Sequence, residues 1–429
     1  MTKVFCGPKD LIPKLRAAGV EYFSMYGHDG LGDVCTVGST LIDDIKAAGM
    51  SPSIATWDFL SLALAVSAAD HALERKDSPD GWTRTIEMEL ALYEPGPFRA
   101  AAQSIQEALR FLTGDFWQLT FIEGGYPPPR PRSAVIHPAD CVALLSGGLD
   151  SLVGAIDLKA QRRDPLFVSH VARGDKDKQT QYAALLGREG NHVQWNQNVW
   201  LKPQGREGEP STRARSVVFF AFAAIAADHL ATLGRPAPVD VFVPENGLIS
   251  LNVPLNAGRV GSLSTKTTHP VFMRRLQALW RTLGIPAELR LPYVAKTKGE
   301  MLTECADQVT LAAVGGASTS CGRFGHYGLR HCGRCVPCMV RRASFLHAAL
   351  EDTTAEYVYA DLNGAQRDQG ADDVAAVATA VLKVEEEGVR AFTAGQFSFA
   401  EPAQRREFEG VVERGLKELG VLLRMHHVL

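Results

Sequence analysis

The sequence lacks the signals of a membrane, secreted or nucleic-acid-binding protein. Its 429 residues contain no run of eighteen apolar residues, and Met1–Gly7 has no signal-peptide pattern. The formal net charge is −3, which predicts no broad basic surface. Cysteine is scarce, and four of the eight cysteines are scattered without a disulfide framework. We therefore expect a cytoplasmic protein with no membrane partner, and nucleic acid is not expected as the main substrate.

Two common active-site signatures are also missing around Ser146. The segment lacks the Gly-Lys-Ser/Thr ending of the usual NTPase loop, and Ser146 does not lie in a Gly-x-Ser-x-Gly elbow. Instead, an apolar strand, 141–145, runs into a loop and a helical pattern. The loop residues are Ser146, Gly147, Gly148, Leu149, Asp150 and Ser151. Two glycines allow a tight turn, and the hydroxyls and helix N-terminus donate to anions, so the loop predicts a pyrophosphate site for ATP.

Asp150 is the only carboxylate in this loop. We expect it to bind Mg²⁺, directly or through water, because a departing pyrophosphate is highly charged. The alternative is that Asp150 only caps the following helix.

Four cysteines near the C-terminal third predict a structural zinc site. The spacing is C-x10-C-x2-C-x2-C, formed by Cys321, Cys332, Cys335 and Cys338. Four thiolates at such short steps suit tetrahedral Zn²⁺ and leave no open position for a substrate. Unliganded or disulfide-bonded cysteines, and a ligand exchange with His326 or His331, are the alternatives.

The chain divides into four predicted parts. Residues 1–123 carry two half-buried strand patterns and two helical runs, which predict an α+β accessory module. Residues 124–138 predict a proline-rich linker, with an ordered polyproline strand that lies across the surface as the alternative. Residues 139–345 alternate short apolar runs with helical patterns, as in a doubly wound parallel sheet, with strands near 141–145, 165–171, 192–199, 239–243 and 287–291. Residues 346–429 predict a helical extension that packs on the protein or faces a partner.

The loop and the cysteines together resemble a known family. A Ser-Gly-Gly-x-Asp-Ser loop with C-xn-C-x2-C-x2-C followed by Arg341-Arg342 is similar to the 7-cyano-7-deazaguanine synthases among the PP-loop ATP pyrophosphatases. The resemblance covers about residues 139–350. Compact synthases lack the flanking parts and have a shorter spacing between the first two cysteines. The longer chain looks more like the synthase-like proteins of Qat-type anti-phage defence systems.

The resemblance implies a HUP-like fold, ATP, Mg²⁺ and Zn²⁺ as cofactors, and a deazaguanine carboxylate as substrate. It also implies a partner protein from the same defence operon. The carboxylate would be adenylated and then attacked by an amine. Two other functions stay open, namely a non-catalytic nucleotide-binding scaffold and a PP-loop tRNA-modifying enzyme, although the latter would need a catalytic cysteine pair.

Several downstream residues are candidates for this site. With Asp150, the catalytic candidates are Arg213 and Lys298, the latter carried over from the resemblance alone. For substrate binding, arginine suits oxyanions, whereas a carboxylate and an amide at a strand end suit a pyrimidinone edge. The substrate-binding candidates are Arg215, Glu245, Asn246, Thr265, Lys266 and Thr268. For each, a helix cap, turn or surface position is the alternative.

Overall fold

The computed structural model describes residues 2–27, 34–171, 174–187, 189–202, 207–255, 266–364 and 373–429. Its framework is two five-stranded parallel sheets. The strands of the first sheet are β1 Thr2–Gly7, β2 Val20–Met25, β3 Cys35–Val37, β4 Thr85–Leu92 and β5 Phe116–Glu123. The strands of the second are β6 Cys141–Leu144, β7 Pro165–His170, β8 His192–Trp195, β9 Val239–Phe242 and β10 Ala287–Arg290.

Fourteen α-helices are present in the described ranges. They are α1 Leu41–Ala47, α2 Ile54–Ala72, α3 Gly96–Thr113, α4 Leu149–Ala160, α5 Lys176–Leu185, α6 Arg215–Thr232, α7 Gly247–Leu251, α8 Pro270–Leu283, α9 Lys298–Glu304, α10 Gln308–Val314, α11 Val336–His347, α12 Asp373–Glu387, α13 Val389–Phe392 and α14 Pro402–Met425. Short 3₁₀ turns lie at Lys9–Leu11, Arg75–Asp77, Glu189–Asn191 and Gly315–Ala317.

The N-terminal part is α/β, so the predicted α+β module is wrong. Its strand order is β3-β2-β1-β4-β5, and every pairing is parallel. Parallel neighbours need a crossover, and α3 supplies it between β4 and β5. The sequence pattern predicted β4, β5 and α3. It did not predict β1–β3, and therefore not the sheet to which they belong. The connections from β1 to β2 and from β2 to β3 are short. A groove of about 510 Å³ opens on one face of this sheet, and its lining includes Lys3, Tyr22 and Glu89.

The second sheet confirms the predicted doubly wound architecture. All five predicted strands are present, in the order β10-β9-β6-β7-β8 with parallel pairing throughout. The chain order reverses between β6 and β9, the position where ligands bind in open α/β sheets, beyond the carboxyl ends of the strands. The loop that begins at Ser146 follows β6 directly, so it lies at this crevice.

The two sheets share one hydrophobic core. Helices α2 and α6 pack against each other between them, and nearly every residue of α2 is buried. The proline-rich segment 124–138 has no helix or strand, yet it is bonded to this core. The Trp57 indole N–H donates to the Tyr126 carbonyl at 2.7 Å, and a His229 ring nitrogen lies 3.0 Å from the Val135 carbonyl. The segment therefore lies fixed against both halves.

Four buried charges reinforce the interface. Asp70 and Asp115 face Arg75 and Arg84, and all four side chains are at most 5% exposed. The second Asp70 oxygen accepts the backbone N–H groups of Arg213, at 2.5 Å, and of Ala214, at 2.7 Å. Because Asp70 belongs to α2 and these amides precede α6, the network ties one half of the protein to the other.

The C-terminal part is helical, as predicted. Helices α12, α13 and α14 build a separate apolar cluster with parts of α7 and α11. One described helix, Arg215–Thr232, is long and apolar enough to cross a membrane, but 72% of the relevant window is buried inside the protein.

Candidate functional site

The loop from β6 to α4 is a tight turn stabilised by its own hydroxyls. Gly147 has a φ of +86°, which only glycine adopts without strain. The Ser146 hydroxyl accepts the Gly148 N–H at 3.3 Å and donates to the Ser151 hydroxyl at 3.2 Å, while Ser151 donates to the Gly148 carbonyl at 2.9 Å. The first turn of α4 follows at once, and the N–H groups at a helix start have no acceptor within the helix. The turn can therefore bind an anion such as phosphate.

Two neighbouring segments form the walls of this loop. Residues 318–320 lie against the loop, since the Thr319 N–H donates to the Gly147 carbonyl at 3.0 Å. A Cβ on Gly148 would come within 3.1 Å of the Thr319 carbonyl, so no larger residue fits there without a shift. On the other side, the buried Gln179 side chain of α5 donates to the Ser146 carbonyl at 3.3 Å.

Arg341 holds the wall segment in place. It is fully buried, and its guanidinium donates to the carbonyls of Gly315 and Gly316 at 2.9 and 3.0 Å and to the hydroxyls of Ser318 and Ser320 at 2.7 and 3.2 Å. This arginine follows the cysteines in sequence. Its bonds connect the helix that carries Cys338 to the wall of the loop.

Lys178 of α5 brings positive charge to the loop, and Arg215 of α6 lies near His170 at the end of β7. Lys178 of α5 donates to the Thr319 hydroxyl at 3.0 Å, and Gly147 lies next to its Cβ. Burial lowers the pKa of Lys178, as does nearby Arg341, whereas Asp175 raises it. At the start of α6, exposed Arg215 is close enough to His170 to add to the effect of burial, and together they lower the pKa of His170 to about 4. These cations suit a phosphorylated ligand.

Four predicted site residues meet in one buried cluster. The Lys298 ammonium lies 2.9 Å from one oxygen of Asp150, and both side chains are 8% exposed. The other Asp150 oxygen accepts the Asn246 side-chain amide at 2.7 Å and the Asn246 backbone N–H at 3.2 Å. The Glu245 carboxyl is hydrogen-bonded to Asp150. Asp150 makes no side-chain cap for α4, so the capping alternative is not what the structure shows.

The two carboxyl groups have opposite protonation preferences. Burial alone would raise the pKa of Asp150, but Lys298 and the hydrogen bonds from Glu245 and Asn246 outweigh burial and hold the pKa below its ordinary value. Burial, and then the adjacent Asp150, raise the pKa of Glu245 well above its ordinary value. These opposite shifts favour a proton on Glu245 and an ionised Asp150 beside Lys298. Two adjacent carboxyl groups offer the oxygen ligands that Mg²⁺ prefers.

Arg213, Lys266 and Thr268 do not join this cluster. Arg213 donates to the Thr113 carbonyl at 2.8 Å and lies over the Trp82 ring, so its contacts are with the N-terminal half. Lys266 lies over the Phe111 ring at 4.7 Å. Both cations lie near the C-terminus of α3, where the helix dipole favours positive charge. The contacts of Arg213 therefore indicate a structural role and not the predicted catalytic one.

Thr268 and Thr265 are the other two candidates from the polar stretch that contains Lys266. Thr268 is buried, and its hydroxyl bonds to that of Ser250 at 3.0 Å. Its contact is with α7 and not with the loop. Thr265 lies outside the described residues.

The four predicted cysteines converge and could hold a metal ion such as zinc. Their sulfur atoms all lie within 4.8 Å of one another, and all four residues are buried. Two sulfur pairs are 3.9 Å apart, Cys321 to Cys335 and Cys332 to Cys338. Sulfurs held about 2.3 Å from one zinc in a tetrahedron would be about 3.8 Å apart, so the donor set fits.

Backbone N–H groups support these sulfurs, and His331 does not join them. Cys321 accepts the N–H of Arg323 at 3.3 Å and of Cys332 at 3.4 Å. His331 accepts the Ser320 N–H at 3.2 Å through Nε2, and it packs between aromatic rings instead of joining the sulfurs.

Lys178, Gln179 and Thr319 are neighbours of the loop that the sequence pattern did not predict. Lys178 and Gln179 lie in a strongly polar run that looks like an ordinary solvated helix. The available signal was position, because this helix follows the strand next to β6. Thr319 gave no signal, since its place depends on how the cysteine segment folds back.

Known proteins do not add to this description. Comparison with protein-family models gives no match, and comparison with curated proteins gives no significant match.

Proposed function

We propose that the chain is an ATP-dependent carbon–nitrogen ligase of the PP-loop type. In this proposal it adenylates a 7-carboxy-7-deazaguanine-type carboxylate and passes the acyl group to an amine, in anti-phage defence. The observation that carries the proposal is the Ser146–Ser151 turn at the switch point of a parallel sheet, with Asp150, Glu245 and Lys298 buried beside it. An electropositive turn beside two carboxyl groups suits a magnesium-bound polyphosphate.

The turn would bind the β and γ phosphates. Free N–H groups at the start of α4 and the hydroxyls of Ser146 and Ser151 are the donors. Lys178 and Arg215 add positive charge from α5 and α6. Because these donors belong to a turn held by Gln179 and Thr319, they need little rearrangement when the phosphates bind.

Asp150 and Glu245 would hold Mg²⁺. When bound, this ion would neutralise part of the charge on the departing pyrophosphate. Because burial and Asp150 raise the pKa of Glu245, this group would release any proton it holds for the pair to act as two anionic ligands. Lys298 keeps Asp150 ionised and holds its carboxylate in place.

The reaction then needs no covalent bond to the protein. An oxygen of the substrate carboxylate forms a bond to the α phosphorus, and the bond from that phosphorus to the bridging oxygen breaks to release pyrophosphate. The amine nitrogen next attacks the acyl carbon, AMP leaves, and the nitrogen loses a proton to solvent. The product is an amide. Where the amine is ammonia, the amide oxygen can attack the α phosphorus of a second ATP with release of pyrophosphate, and loss of AMP and of the nitrogen protons then leaves a nitrile. The amine is ammonia or an amino group of a partner protein from the same operon. In this proposal the four cysteines bind a structural Zn²⁺ and the protein acts in the cytoplasm.

The test is to incubate the protein with ATP, Mg²⁺ and 7-carboxy-7-deazaguanine, with and without ammonia or neighbouring gene products. AMP, pyrophosphate and intact protein masses are followed. AMP with a free small-molecule amide or nitrile supports a synthase, and AMP with a mass gain on a partner supports a conjugating enzyme. Binding of ATP without AMP in any mixture would contradict the proposal and favour a scaffold. AMP formation that requires tRNA instead of the deazaguanine would favour a tRNA-modifying enzyme.

Ser146→Ala provides the site variant for this assay. It removes a hydroxyl from the turn and should abolish pyrophosphate release while leaving the fold intact. The matched control is Ser104→Ala, an exposed serine on α3, which should keep full activity.

A further inference from the structure

Glu418 connects the C-terminal helix α14 to the start of α9. Its side chain is largely buried, and its carboxylate accepts a short hydrogen bond from the Thr297 hydroxyl and another from the Gly299 N–H. The fit is close, because a Cβ on Gly299 would come within 2.7 Å of this carboxylate. Two N–H or O–H donors from the first turn of α9 thus converge on one buried acid.

The first turn of α9 is stabilised by its own capping box and by contacts from α14. Thr297 is the N-cap of α9 and forms a capping box with Glu300, with bonds of 3.1 and 2.8 Å. Arg414, also on α14, pairs with Glu300 and donates to the Ala295 carbonyl at 2.9 Å. Helix α14 therefore fixes both the cap and the segment that leads into it.

Lys298 lies between the two residues that Glu418 contacts. It is the residue of this turn that reaches the loop, with its ammonium 2.9 Å from Asp150. A displacement of the turn would move Lys298 relative to Asp150, because the lysine is 8% exposed and has little room to compensate. The chain of contacts runs from Glu418 through the α9 turn to Lys298 and then to Asp150.

We propose that Glu418 is a positioning residue that sets the place of Lys298 against Asp150 in the phosphate-binding site. The inference rests on the proposed function for its catalytic consequence, although the contacts themselves do not. It gives the C-terminal extension a share in the site, beyond the packing or partner-facing role expected from the sequence.

A carboxylate suits this position better than an amide. Burial raises the pKa of Glu418, but the Thr297 hydroxyl and the Gly299 N–H that donate to its carboxyl group, together with the positive end of the helix dipole, favour the ionised form. The His347 ring lies 3.9 Å from the carboxylate and can add a further favourable contact. Glutamine would keep one acceptor oxygen but would turn its NH₂ group toward a donor.

The experiment compares Glu418→Ala, Glu418→Gln and the control Glu413→Ala, an exposed glutamate on the same helix. We expect kcat for AMP formation to fall by up to about a hundredfold in Glu418→Ala, as for a misplacement of about 1 Å. The KM for ATP should change far less, because the turn that binds phosphate is unaltered. Glu418→Gln should lose less, and Glu413→Ala should match the wild type.

A second readout does not require turnover. Lys298 is buried and paired, so an amine-labelling reagent followed by mass spectrometry should modify it slowly in the wild type and several-fold faster in Glu418→Ala. If the wild type forms no AMP, the proposed function fails, while the labelling still decides the role of Glu418. Lys298 labelling in folded Glu418→Ala equal to that in Glu413→Ala would overturn the inference. If Glu418→Ala does not fold, Thr297→Val, which removes the hydroxyl bridge, replaces it with the same expected acceleration.

Discussion

The ion pair between Asp150 and Lys298 makes a prediction that separates stability from catalysis. Asp150→Asn preserves the size of the side chain but removes its charge, and it leaves the buried Lys298 ammonium with Glu245, whose pKa burial raises, as the remaining carboxyl group of the cluster. Lys298→Met leaves Asp150 beside Glu245 without the cation. Breaking a buried pair from one side costs about 3 to 5 kcal/mol, because the remaining charge stays out of water. Removing both charges costs much less.

The expected shifts in melting temperature follow from the size of the chain. An unfolding entropy of about 2.1 cal/mol/K per residue gives about 0.9 kcal/mol/K for 429 residues that unfold together. Each single variant should therefore melt about 3 to 6 °C below the wild type. Because the two sheets share a core, we expect one transition and not two. The double variant Asp150→Asn/Lys298→Met should regain most of the loss.

Activity should behave differently. The two single variants and the double variant should all lack AMP formation, since none retains both the carboxylate and the cation of the site. The control is Lys296→Met, which removes a lysine two residues away that pairs with Glu304 on the surface. It should change the melting temperature by about 1 °C or less. A double variant no more stable than the worse single variant would refute the buried-pair argument, as would a single variant that melts like this control.

Three further predictions concern other parts of the molecule. The purified protein should contain one zinc per chain by elemental analysis. Cys338→Ser should lose the metal and melt at a lower temperature, whereas Cys305→Ser, outside the cluster, should keep the metal. Equal metal content in the two variants would contradict the site. Asp115→Asn leaves Arg75 and Arg84 with Asp70 alone and should lower the melting temperature by about 3 to 6 °C. The exposed control Asp43→Asn should lower it by about 1 °C or less. Equal shifts would show that the four buried charges add no stability. Burial raises the pKa of Asp58 to about 6, so this group's contribution to the free energy of unfolding should fall as pH rises from about 4 to about 6. In thermal melts, Asp58→Asn should remove this fall of stability with pH. An unchanged dependence on pH would rule out the raised pKa.

The sequence predicted the second sheet well for a physical reason. The central strands β6 and β7 are buried on both faces and read as short apolar runs. Strands β8, β9 and β10 alternate buried with partly exposed residues, which is the other common strand pattern. In the first sheet, β3 has only three residues, and β1 begins with two exposed ones, so neither has a distinct pattern. Without them the parallel order could not be derived, although the spacing of β4, α3 and β5 already favoured a crossover.

The site was predicted in pieces. The turn after β6 is contiguous in the chain, and its geometry follows from its glycines and hydroxyls. The meeting of Asp150 with Glu245 and Lys298 depends on strand order, which places the ends of β6 and β9 side by side. Arg213 shows the opposite case. A guanidinium before a helix can bind a substrate oxyanion or a helix C-terminus, and only the fold distinguishes the two.

The shared core of α2 and α6 determines how the protein can be divided in the laboratory. The proline-rich stretch looks like the natural place to cut, yet a fragment beginning there would present the apolar flank of α6 to water. The released N-terminal piece would present α2 in the same way and would leave Asp70 without its two amide donors. Both pieces would be prone to aggregate. Binding studies on either half therefore require the intact polypeptide, with surface substitutions in place of truncations.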